Sequence, residues 1–382
     1  MKRCLLALLA LISCGAATLP PVSGPSVSGP SVSGPPIPSW SPAQITVLRH
    51  WVAAAPEDAL PVLPTSELDR ATAGTDKPAI DRAATALALS EARMHLLGAR
   101  RSEGHIVDSD ARLDLPVLLA QALAGPEGGL DHFFAGLRPQ HPDYAVLRAA
   151  YATEKDPARR ATLALNMERW RWLPQSLGHD YVLVNIAAFE VSLWRQDHRV
   201  AIWPIVVGKV KTPTPVFAAS ITGVIFNPWW DVPANIAPEI ARLVRRHPAL
   251  MRQRGYVRMA GRYRQRPGPA NSLGQMKLVM PNPFDVYLHD TPEKKLFAQD
   301  SRAFSHGCMR VSDALGFATT LLQGAKTPDE VTAIVATGKT TTVPLAAPLP
   351  VYVTYFTATT REDGTLVVLP DIYARDAAFG VK

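Results

Sequence analysis

The chain has 382 residues, enough for two compact units, and its 47% hydrophobic content predicts well-buried cores. It contains 40 lysines and arginines against 33 aspartates and glutamates, and the net charge of +7 favours anionic partners such as cell-wall polymer, anionic lipid or nucleic acid. The sequence has no zinc finger, RNA-recognition motif or basic heptad repeat, which disfavours nucleic acid.

Residues 1–20 have the character of an export signal. Lys2 and Arg3 precede an apolar run over Leu5–Ile12 that is too short to span a bilayer in a mature protein. The stretch Leu11–Cys14 resembles a bacterial lipobox, in which the cysteine is lipidated and becomes the new N-terminus. Ordinary cleavage a few residues further on, with no lipid attached, is the alternative.

The residues that follow predict an anchor and a tether. Gly15, directly after Cys14, is typical of lipoproteins sorted to the outer membrane, so we expect a periplasmic protein held there by an N-terminal lipid. Residues 21–40 repeat Val-Ser-Gly-Pro and cannot build a core. They predict an extended linker that reaches away from the membrane, although a disordered remnant is the alternative.

Cysteine usage singles out one residue. The cysteines are Cys4, Cys14 and Cys308, and either mode of cleavage removes the first and removes or acylates the second. The mature chain therefore keeps one free thiol, Cys308, in a compartment that oxidises thiols, and no disulfide framework is possible. A lone cysteine in an exported domain calls for a chemical explanation.

Residues 41–180 have a helical pattern, which predicts a helical scaffold domain. Apolar residues recur at helix spacing in segments separated by glycine and proline: Ala83–Leu97, Leu113–Ala124, Tyr144–Ala152 and Thr162–Trp172. The histidines of this region are interpreted as surface or core residues rather than ligands: His50, His95, His105 and His132.

From residue 181 the pattern changes to strands. Alternating or β-rich runs occur at Val182–Ile186, Phe189–Trp194, Ala201–Val207, Lys277–Met280, Val286–His289 and Val351–Thr357. The last run is expected to pair with Leu366–Leu369, and Pro204 suggests an edge or a bulge in its own strand. We predict an α+β protein in which the helical scaffold precedes a mostly-β catalytic domain over residues 181–375.

A basic insertion, residues 232–273, interrupts these strands. Between Ile240 and Arg266 there are nine arginines and no aspartate, glutamate or lysine. Because arginine pairs bidentately with carboxylates, one interpretation is a mobile cap that meets an anionic substrate. A solvated helix and loop is the alternative.

The chemistry is concentrated at His289 and Cys308. A thiol is a poor nucleophile until a neighbouring imidazole or positive charge helps to deprotonate it. His289 ends a β-like run, and a crossover of 19 residues can bring Cys308 back beside it. The amides of Gly307, Cys308 and Met309 are candidates for an oxyanion hole, and Ser312 is a candidate N-cap for a following helix whose dipole would add to it.

Other interpretations of these residues remain open on the pattern alone. Cys308 also fits a buried structural thiol. His289, His306 and Cys308 are weak zinc ligands, because the spacing of the last two is unusual and a fourth ligand is not evident. His306 is interpreted as a residue that holds the loop rather than as a second base. No metal and no organic cofactor is expected.

His289, followed after 15 residues by Ser305-His306-Gly307-Cys308 and then Arg310, resembles the catalytic signature of the YkuD-type L,D-transpeptidases. Arg310 stands where many smaller members have asparagine and where the larger, YcbB-like members have arginine. Further stretches are similar to YcbB-like proteins: Asn166–Pro174, Val184–Ile186, Val207–Lys209, Pro213–Phe217, Phe226–Trp230, Pro281–Phe284 and Pro370–Tyr373.

This resemblance implies a YkuD-type β fold and an enzyme that acts on peptidoglycan peptide stems. By resemblance, Cys308 attacks the bond between diaminopimelate and the terminal D-alanine of a tetrapeptide stem, and His289 is the general base. The resulting thioester passes to an amine of a second stem and gives a 3→3 cross-link. The residues expected to support the oxyanion or the loop are Gly307, Met309, His306 and Ser305, and those expected to bind substrate are Tyr287, Arg310 and Trp230.

Two rival functions remain. With water as the acceptor, the same pair gives an L,D-carboxypeptidase, or an amidase that releases a wall-attached protein. A non-catalytic wall-binding lipoprotein is the rival from another class, and the presence of both Cys308 and His289 argues against it.

Overall fold

The computed structural model describes residues 37–100 and 113–381. The predicted export signal over residues 1–20, the lipidation site at Cys14, the linker up to residue 36 and His105 lie outside the described residues. Of the helices in the described parts, none combines the length and the apolar character needed to cross a membrane.

The first five helices form a bundle with its own core. They are α1 Pro42–Ala54, α2 Ser66–Thr72, α3 Lys77–Leu97, α4 Leu115–Ala124 and α5 Gly129–Gly136. Ser41 and Gln44 form a reciprocal capping box that satisfies two amides at the start of α1. Leu48, Leu119 and Phe134 are fully buried where α1, α4 and α5 meet. His95 is also fully buried, whereas His50 and His132 are exposed.

Two further helices, α6 Pro142–Thr153 and α7 Pro157–Trp170, attach the scaffold to the strands. The Trp170 ring stacks on His141 at 4.2 Å and on Phe356 at 4.4 Å between ring centroids. The Arg169 guanidinium pairs with the Asp376 carboxylate at 2.6 Å, and both side chains are buried. Aromatic stacking and this buried ion pair therefore hold α7 against the C-terminal part of the chain.

The strands of the described residues are β1 Tyr181–Asn185, β2 Glu190–Arg195, β3 His198–Gly208, β4 Phe217–Phe226, β5 Trp230–Asp231, β6 Tyr256–Met259, β7 Arg262–Gln265, β8 Met276–Val279, β9 Leu288–His289, β10 Ala303–Ser305, β11 Met309–Val311, β12 Thr341–Thr354, β13 Ala358–Thr360 and β14 Leu366–Val368. The main sheet has the order β10-β3-β11-β9-β8-β4-β12-β1-β2, and β2 also pairs with β3. The pairing therefore closes on itself. Together with the preceding helices, these strands confirm the predicted α+β class.

The closed sheet surrounds an apolar interior. Inward side chains from strands on all sides are buried, including Val184, Ile205, Val224, Leu288 and Val353. Two helices, α10 Ala314–Leu321 and α11 Pro328–Ala336, join this core, and Phe317 of α10 packs on Trp203 at 4.7 Å between ring centroids. A fixed core of this kind gives the short strands β9 and β11 a defined register.

Two local predictions need correction. The hairpin made by Leu366–Leu369 is present, but Leu366–Val368 pairs with Ala358–Thr360, and of the predicted partner run only Thr357 takes part, through its carbonyl to the Leu369 amide. Pro204 lies at the end of the β3–β11 pairing, where its carbonyl accepts from the Ser312 amide and the preceding part of β3 pairs with β2 alone. Its missing amide hydrogen therefore interrupts no ladder, as expected at an edge. The N-cap of α10 is Asp313, whose carboxylate accepts from the Gly316 amide, and not Ser312.

The basic insertion folds as a small unit of its own between β4 and β8. It contains α8 Ala237–Arg246, α9 Pro248–Gln253 and the strands β6 and β7, and β5, directly before it, pairs with β7 to complete a three-stranded sheet. Trp230, Ile240 and Met251 are buried in its core, and Tyr287 of the catalytic region packs against it. The insertion is therefore more than a solvated helix and loop, and we call it the cap.

Candidate active site

Strand register places His289 and Cys308 on one face of two neighbouring strands. Strand β11 runs parallel to β9, with Met309 opposite Leu288 and Arg310 opposite His289. Met309 and Leu288 are fully buried and point into the core. Because side chains alternate along a strand, Cys308 and Arg310 lie with His289 on the opposite, outer face.

His289 is held as a neutral base. Its side chain is buried, and Nδ1 lies 2.5 Å from the carbonyl oxygen of Asp290. A carbonyl only accepts, so Nδ1 carries the proton and Nε2 keeps its lone pair. Burial, and after it the positive charge of Arg310, lowers the pKa of His289 to about 3. The imidazole is therefore uncharged at neutral pH and able to accept a proton.

Cys308 rests as a thiol. Burial raises its pKa above the ordinary value, while the Tyr287 backbone amide and the charges of Lys277 and Arg310 act in the opposite direction. The sulfur remains partly exposed and lies 3.9 Å from the carbonyl oxygen of Asp285, which can accept the thiol hydrogen. The Cys308 thiol is therefore deprotonated only after substrate has bound.

Two buried hydroxyls shape the loop that carries Cys308. Ser305 Oγ donates to the Cys308 carbonyl at 2.5 Å and accepts from the Gly307 amide at 3.0 Å. Thr214 Oγ1 donates to the Gly307 carbonyl at 2.8 Å and accepts from the Gly208 amide at 2.9 Å. Gly307 has φ of +121°, a conformation that strains any residue with a β-carbon. The loop is therefore fixed on both sides.

The predicted oxyanion hole needs correction. The Gly307 amide is already bonded to Ser305, and the Met309 amide donates to the Tyr287 carbonyl at 3.0 Å as part of the β9–β11 ladder. Strand β11 also separates Cys308 from α10, so that helix does not begin at the nucleophile. The amides that remain beside the sulfur are those of Cys308 and Tyr287, the second of which faces Sγ.

A lysine that the sequence reasoning missed completes the outer face. Lys277 of β8 lies directly opposite His289 in an antiparallel pair. Its Nζ is 4.7 Å from the centre of the Tyr287 ring, and that ring is 5.7 Å from the ring of His289. Lys277 is the polar residue between buried Met276 and Leu278. This alternation along a strand could have indicated from the sequence that the Lys277 side chain lies on the outer face. Burial raises the pKa of Tyr287, which therefore stays protonated.

His306 connects the loop to the cap. Its Nε2 lies 3.2 Å from Lys209 Nζ and 3.4 Å from a carboxylate oxygen of Glu239 in α8. Both partners come from other elements, and Glu239 was also missed from sequence. This placement makes His306 a contact between the nucleophile loop and the cap.

Asn282 organises the loop before β9. Its side-chain oxygen accepts from the amides of Phe284 at 3.1 Å and Val286 at 3.3 Å, and its nitrogen donates to the Val286 carbonyl at 2.7 Å. This network holds Asp285 at a positive φ of 52°, with its carbonyl beside Cys308. Asn282 thus positions an acceptor for the thiol.

The two other predicted substrate-binding residues differ in position. Arg310 lines a cavity of about 360 Å³ between the cap and the catalytic face. Trp230 is buried in the cap core, 6.2 Å from the Tyr256 ring between centroids, and contributes to the shape of the cap. A larger cavity, about 680 Å³, lies between α7 and the C-terminal segment, and its described lining has no cysteine or histidine.

The arrangement defines a cysteine nucleophile with a neutral histidine base. Within residues 37–100 and 113–381, no group of three or more histidine, cysteine, aspartate or glutamate side chains is placed to hold a metal ion. The geometry fits acyl transfer, in which Sγ attacks a carbonyl and His289 moves the proton.

Comparison with known proteins agrees with this class. Residues 179–345 match the family model of YkuD, the L,D-transpeptidase catalytic domain. A putative L,D-transpeptidase of Haemophilus influenzae is 30% identical over 246 residues, which cover 59% of this chain and 50% of the relative. The chain thus spans about half the length of the curated relative that it matches. Residues 179–345, which match the YkuD L,D-transpeptidase catalytic domain, contain both His289 and Cys308.

Solved structures of the same kind are also similar. An L,D-transpeptidase from Mycobacterium smegmatis is 14% identical, with 46% of this chain and 58% of that chain covered and a TM-score of 0.26. L,D-transpeptidase 3 from Mycobacterium tuberculosis, in complex with a faropenem-derived adduct, is 14% identical over 46% of this chain and 60% of that chain, with a TM-score of 0.26.

Proposed function

We propose that this protein is an L,D-transpeptidase that forms 3→3 cross-links between peptidoglycan stems. The observation that carries the proposal is the placement of Cys308 on the same face of neighbouring parallel strands as a neutral His289, whose Nδ1 proton is fixed by the Asp290 carbonyl, in a segment that matches the YkuD family model. We place the protein in the YcbB-like subgroup, on the stretches quoted above and on Arg310.

The first half-reaction forms a thioester. His289 Nε2 takes the proton of Cys308, and Sγ bonds to the diaminopimelate carbonyl that is joined to terminal D-alanine. The negative oxygen that develops is stabilised by the amides of Cys308 and Tyr287. When the carbon–nitrogen bond breaks, His289 returns its proton to the leaving amine, and free D-alanine departs.

The second half-reaction restores the thiol. An amine of a second stem attacks the thioester carbonyl, His289 accepts a proton from that nitrogen, and the carbon–sulfur bond breaks. The thiolate then recovers the proton from His289. The charges of Arg310 and Lys277 stabilise the thiolate in both halves, since both act to lower the pKa of Cys308.

We further propose a periplasmic location, with Cys14 as the lipidated N-terminus and the outer membrane as the anchor. The lipobox-like Leu11–Cys14 and the following Gly15 support this placement, and residues 21–40 give the enzyme reach. Metabolic labelling with an alkyne fatty acid tests it. We expect label on the wild type and none on Cys14→Ala, and an unlabelled wild type would overturn the lipid anchor.

The reaction is tested with disaccharide-tetrapeptide muropeptides and the full chain. We expect cross-linked dimers and free D-alanine by mass spectrometry, and neither product with Cys308→Ala. Tripeptide without dimers would assign an L,D-carboxypeptidase, and release of a protein joined to a stem would assign an amidase. Unchanged muropeptides that nevertheless bind the protein would support a non-catalytic wall-binding role.

A further inference from the structure

The cavity beside Arg310 has the chemistry of a second binding site. It is lined from the cap by Arg254, Tyr256 and Ser272, among others, and from the catalytic region by Glu293 and Arg310. Its volume of about 360 Å³ suits a group of a few heavy atoms rather than a whole stem. It lies along the strands from the nucleophile, since Arg310 follows Cys308 by two residues.

The cavity presents charge of both signs without a direct ion pair between them. Among the described residues, no ion pair within 4.0 Å joins Glu293 to Arg254 or Arg310. Arg310 Nε is buried without a hydrogen-bond partner. Burial lowers the pKa of Arg310, and the nearby charge of Glu293 is the main opposing influence. Two guanidinium groups and one carboxylate are therefore available to a ligand.

The cap wall of this cavity is held by one buried amide. The Gln265 side chain donates to the carbonyls of Arg254 at 2.9 Å and Ala270 at 2.7 Å, and its oxygen accepts from the Ser272 amide at 2.8 Å. Gln265 itself is only 1% exposed. Arg254 and Ser272 thus have defined backbone positions at the cavity wall, from which Arg254 extends an exposed side chain.

We propose that this cavity binds the zwitterionic end of the diaminopimelate side chain, with its carboxylate on Arg254 and Arg310 and its ammonium on Glu293. The inference rests on the proposed function and specifies which stem the enzyme accepts. Guanidinium groups bind carboxylates through paired hydrogen bonds, and a carboxylate is the complementary acceptor for an ammonium group.

The spacing agrees with this assignment. Two residues of extended strand separate Arg310 from Cys308 by about 7 Å. In diaminopimelate three methylenes separate the two stereocentres, so the far centre lies about 6 Å from the carbonyl under attack when the arm is extended. The arm of a stem acylated on Cys308 is therefore long enough to cover the strand spacing between Cys308 and Arg310.

The site predicts selectivity against altered stems. A carboxamide at the far centre removes the negative charge, lysine in place of diaminopimelate removes the carboxylate, and acetylation removes the ammonium. For the wild type we expect each change to slow acylation of Cys308 and weaken binding to the full-length Cys308→Ala chain by about tenfold or more, because a charge-assisted pair is lost.

The experiment measures those two quantities for Arg254→Gln, Glu293→Gln and the matched surface control Arg258→Gln. Arg254→Gln should reduce the penalty for the carboxamide, and Glu293→Gln the penalty for acetylation, while Arg258→Gln retains both penalties. Thermal melting of each variant controls for folding. Equal weakening of all stems by Arg254→Gln, absence of the penalties in the wild type, or no binding of the unmodified stem would overturn the inference.

The same measurements distinguish failure of the proposed transferase function from failure of the cavity assignment. Selective binding of the unmodified stem without acylation would leave the cavity assignment in place and remove the transferase function. Acylation of Cys308 by all stems at equal rates would retain the transferase function and remove the cavity assignment.

Discussion

Thr214 donates its hydroxyl hydrogen to the carbonyl of Gly307 at 2.8 Å, across 93 residues of sequence. The same oxygen accepts from Gly208, so one side chain joins the end of β3 to the nucleophile loop. Thr214→Val keeps the shape and leaves a buried amide and a buried carbonyl unpaired. We expect a loss of about 1–3 kcal/mol in the free energy of unfolding, measured by urea denaturation.

The same substitution should also disturb the nucleophile. We expect slower alkylation of Cys308 by iodoacetamide in Thr214→Val, because the position of Gly307 depends on this bond. Thr214→Ser retains the hydroxyl and is the matched control. If valine and serine variants alkylate at the same rate, the hydroxyl does not position the loop.

The pH dependence of the free energy of unfolding should reflect the titration of His289. Its folded pKa of about 3 lies below the ordinary 6.5, so below pH 6.5 the unfolded chain binds a proton that the folded chain refuses. The free energy of unfolding should therefore fall from pH 6.5 towards pH 3, by up to about 1.4 kcal/mol per pH unit from this group. His289→Gln should show a shallower fall in denaturation curves measured between pH 4 and pH 7. Parallel curves for the two proteins would contradict the neutral state of His289.

Lys277 should set the reactivity of the thiol. Its charge lowers the pKa of Cys308, so Lys277→Met should raise that pKa further and slow iodoacetamide alkylation at pH 8 by a few-fold. Lys326, which pairs with Glu330 on an exposed surface, offers a matched control in Lys326→Met. An alkylation profile of Lys277→Met that superimposes on the wild type would show that the ammonium group is too screened to matter.

The contact between Glu239 and His306 should act on substrate binding. Exposed ion pairs contribute about 0.2–1 kcal/mol, so Glu239→Gln should raise the KM for stem peptide by at most about fivefold. The kcat should remain close to that of the wild type, since the carboxylate does not touch the reacting atoms. D-alanine release gives both constants, and Glu362→Gln in the exposed turn between β13 and β14 serves as the control. A fall in kcat with an unchanged KM would place Glu239 in the chemical step.

The sequence predicts the reacting pair but not its surroundings. His289 and Cys308 stand in a short signature, and the chain between them is long enough for the observed parallel pairing. Thr214 and Glu239 act through partners far away in the sequence, so local periodicity carries no sign of them. The prediction of the oxyanion donors was wrong for a related reason. The Met309 amide donates to the Tyr287 carbonyl, and this bond between distant residues is not visible in the local sequence.

Strand β12 shows a second limit. Only its end, from Val351, was predicted, because prolines interrupt the preceding run. In the structure β12 begins at Thr341, but it pairs with β1 only over Val351–Thr354, and only residues 351–353 have partners in both β1 and β4. The first part is thus an edge, where proline is tolerated, and its register shifts between Pro344 and Leu349. Local sequence does not distinguish an edge from an interior segment.

The protonated resting state of Cys308 also bears on survival among oxidants. Peroxides and small disulfides react with thiolates, and burial raises the pKa of the Cys308 thiol, which keeps the fraction of thiolate low at neutral pH. The residue is thereby shielded from sulfenic acid formation and from mixed disulfides while no substrate is bound. Because Cys308 is the proposed nucleophile, low reactivity at rest would preserve the activity of the protein between reactions.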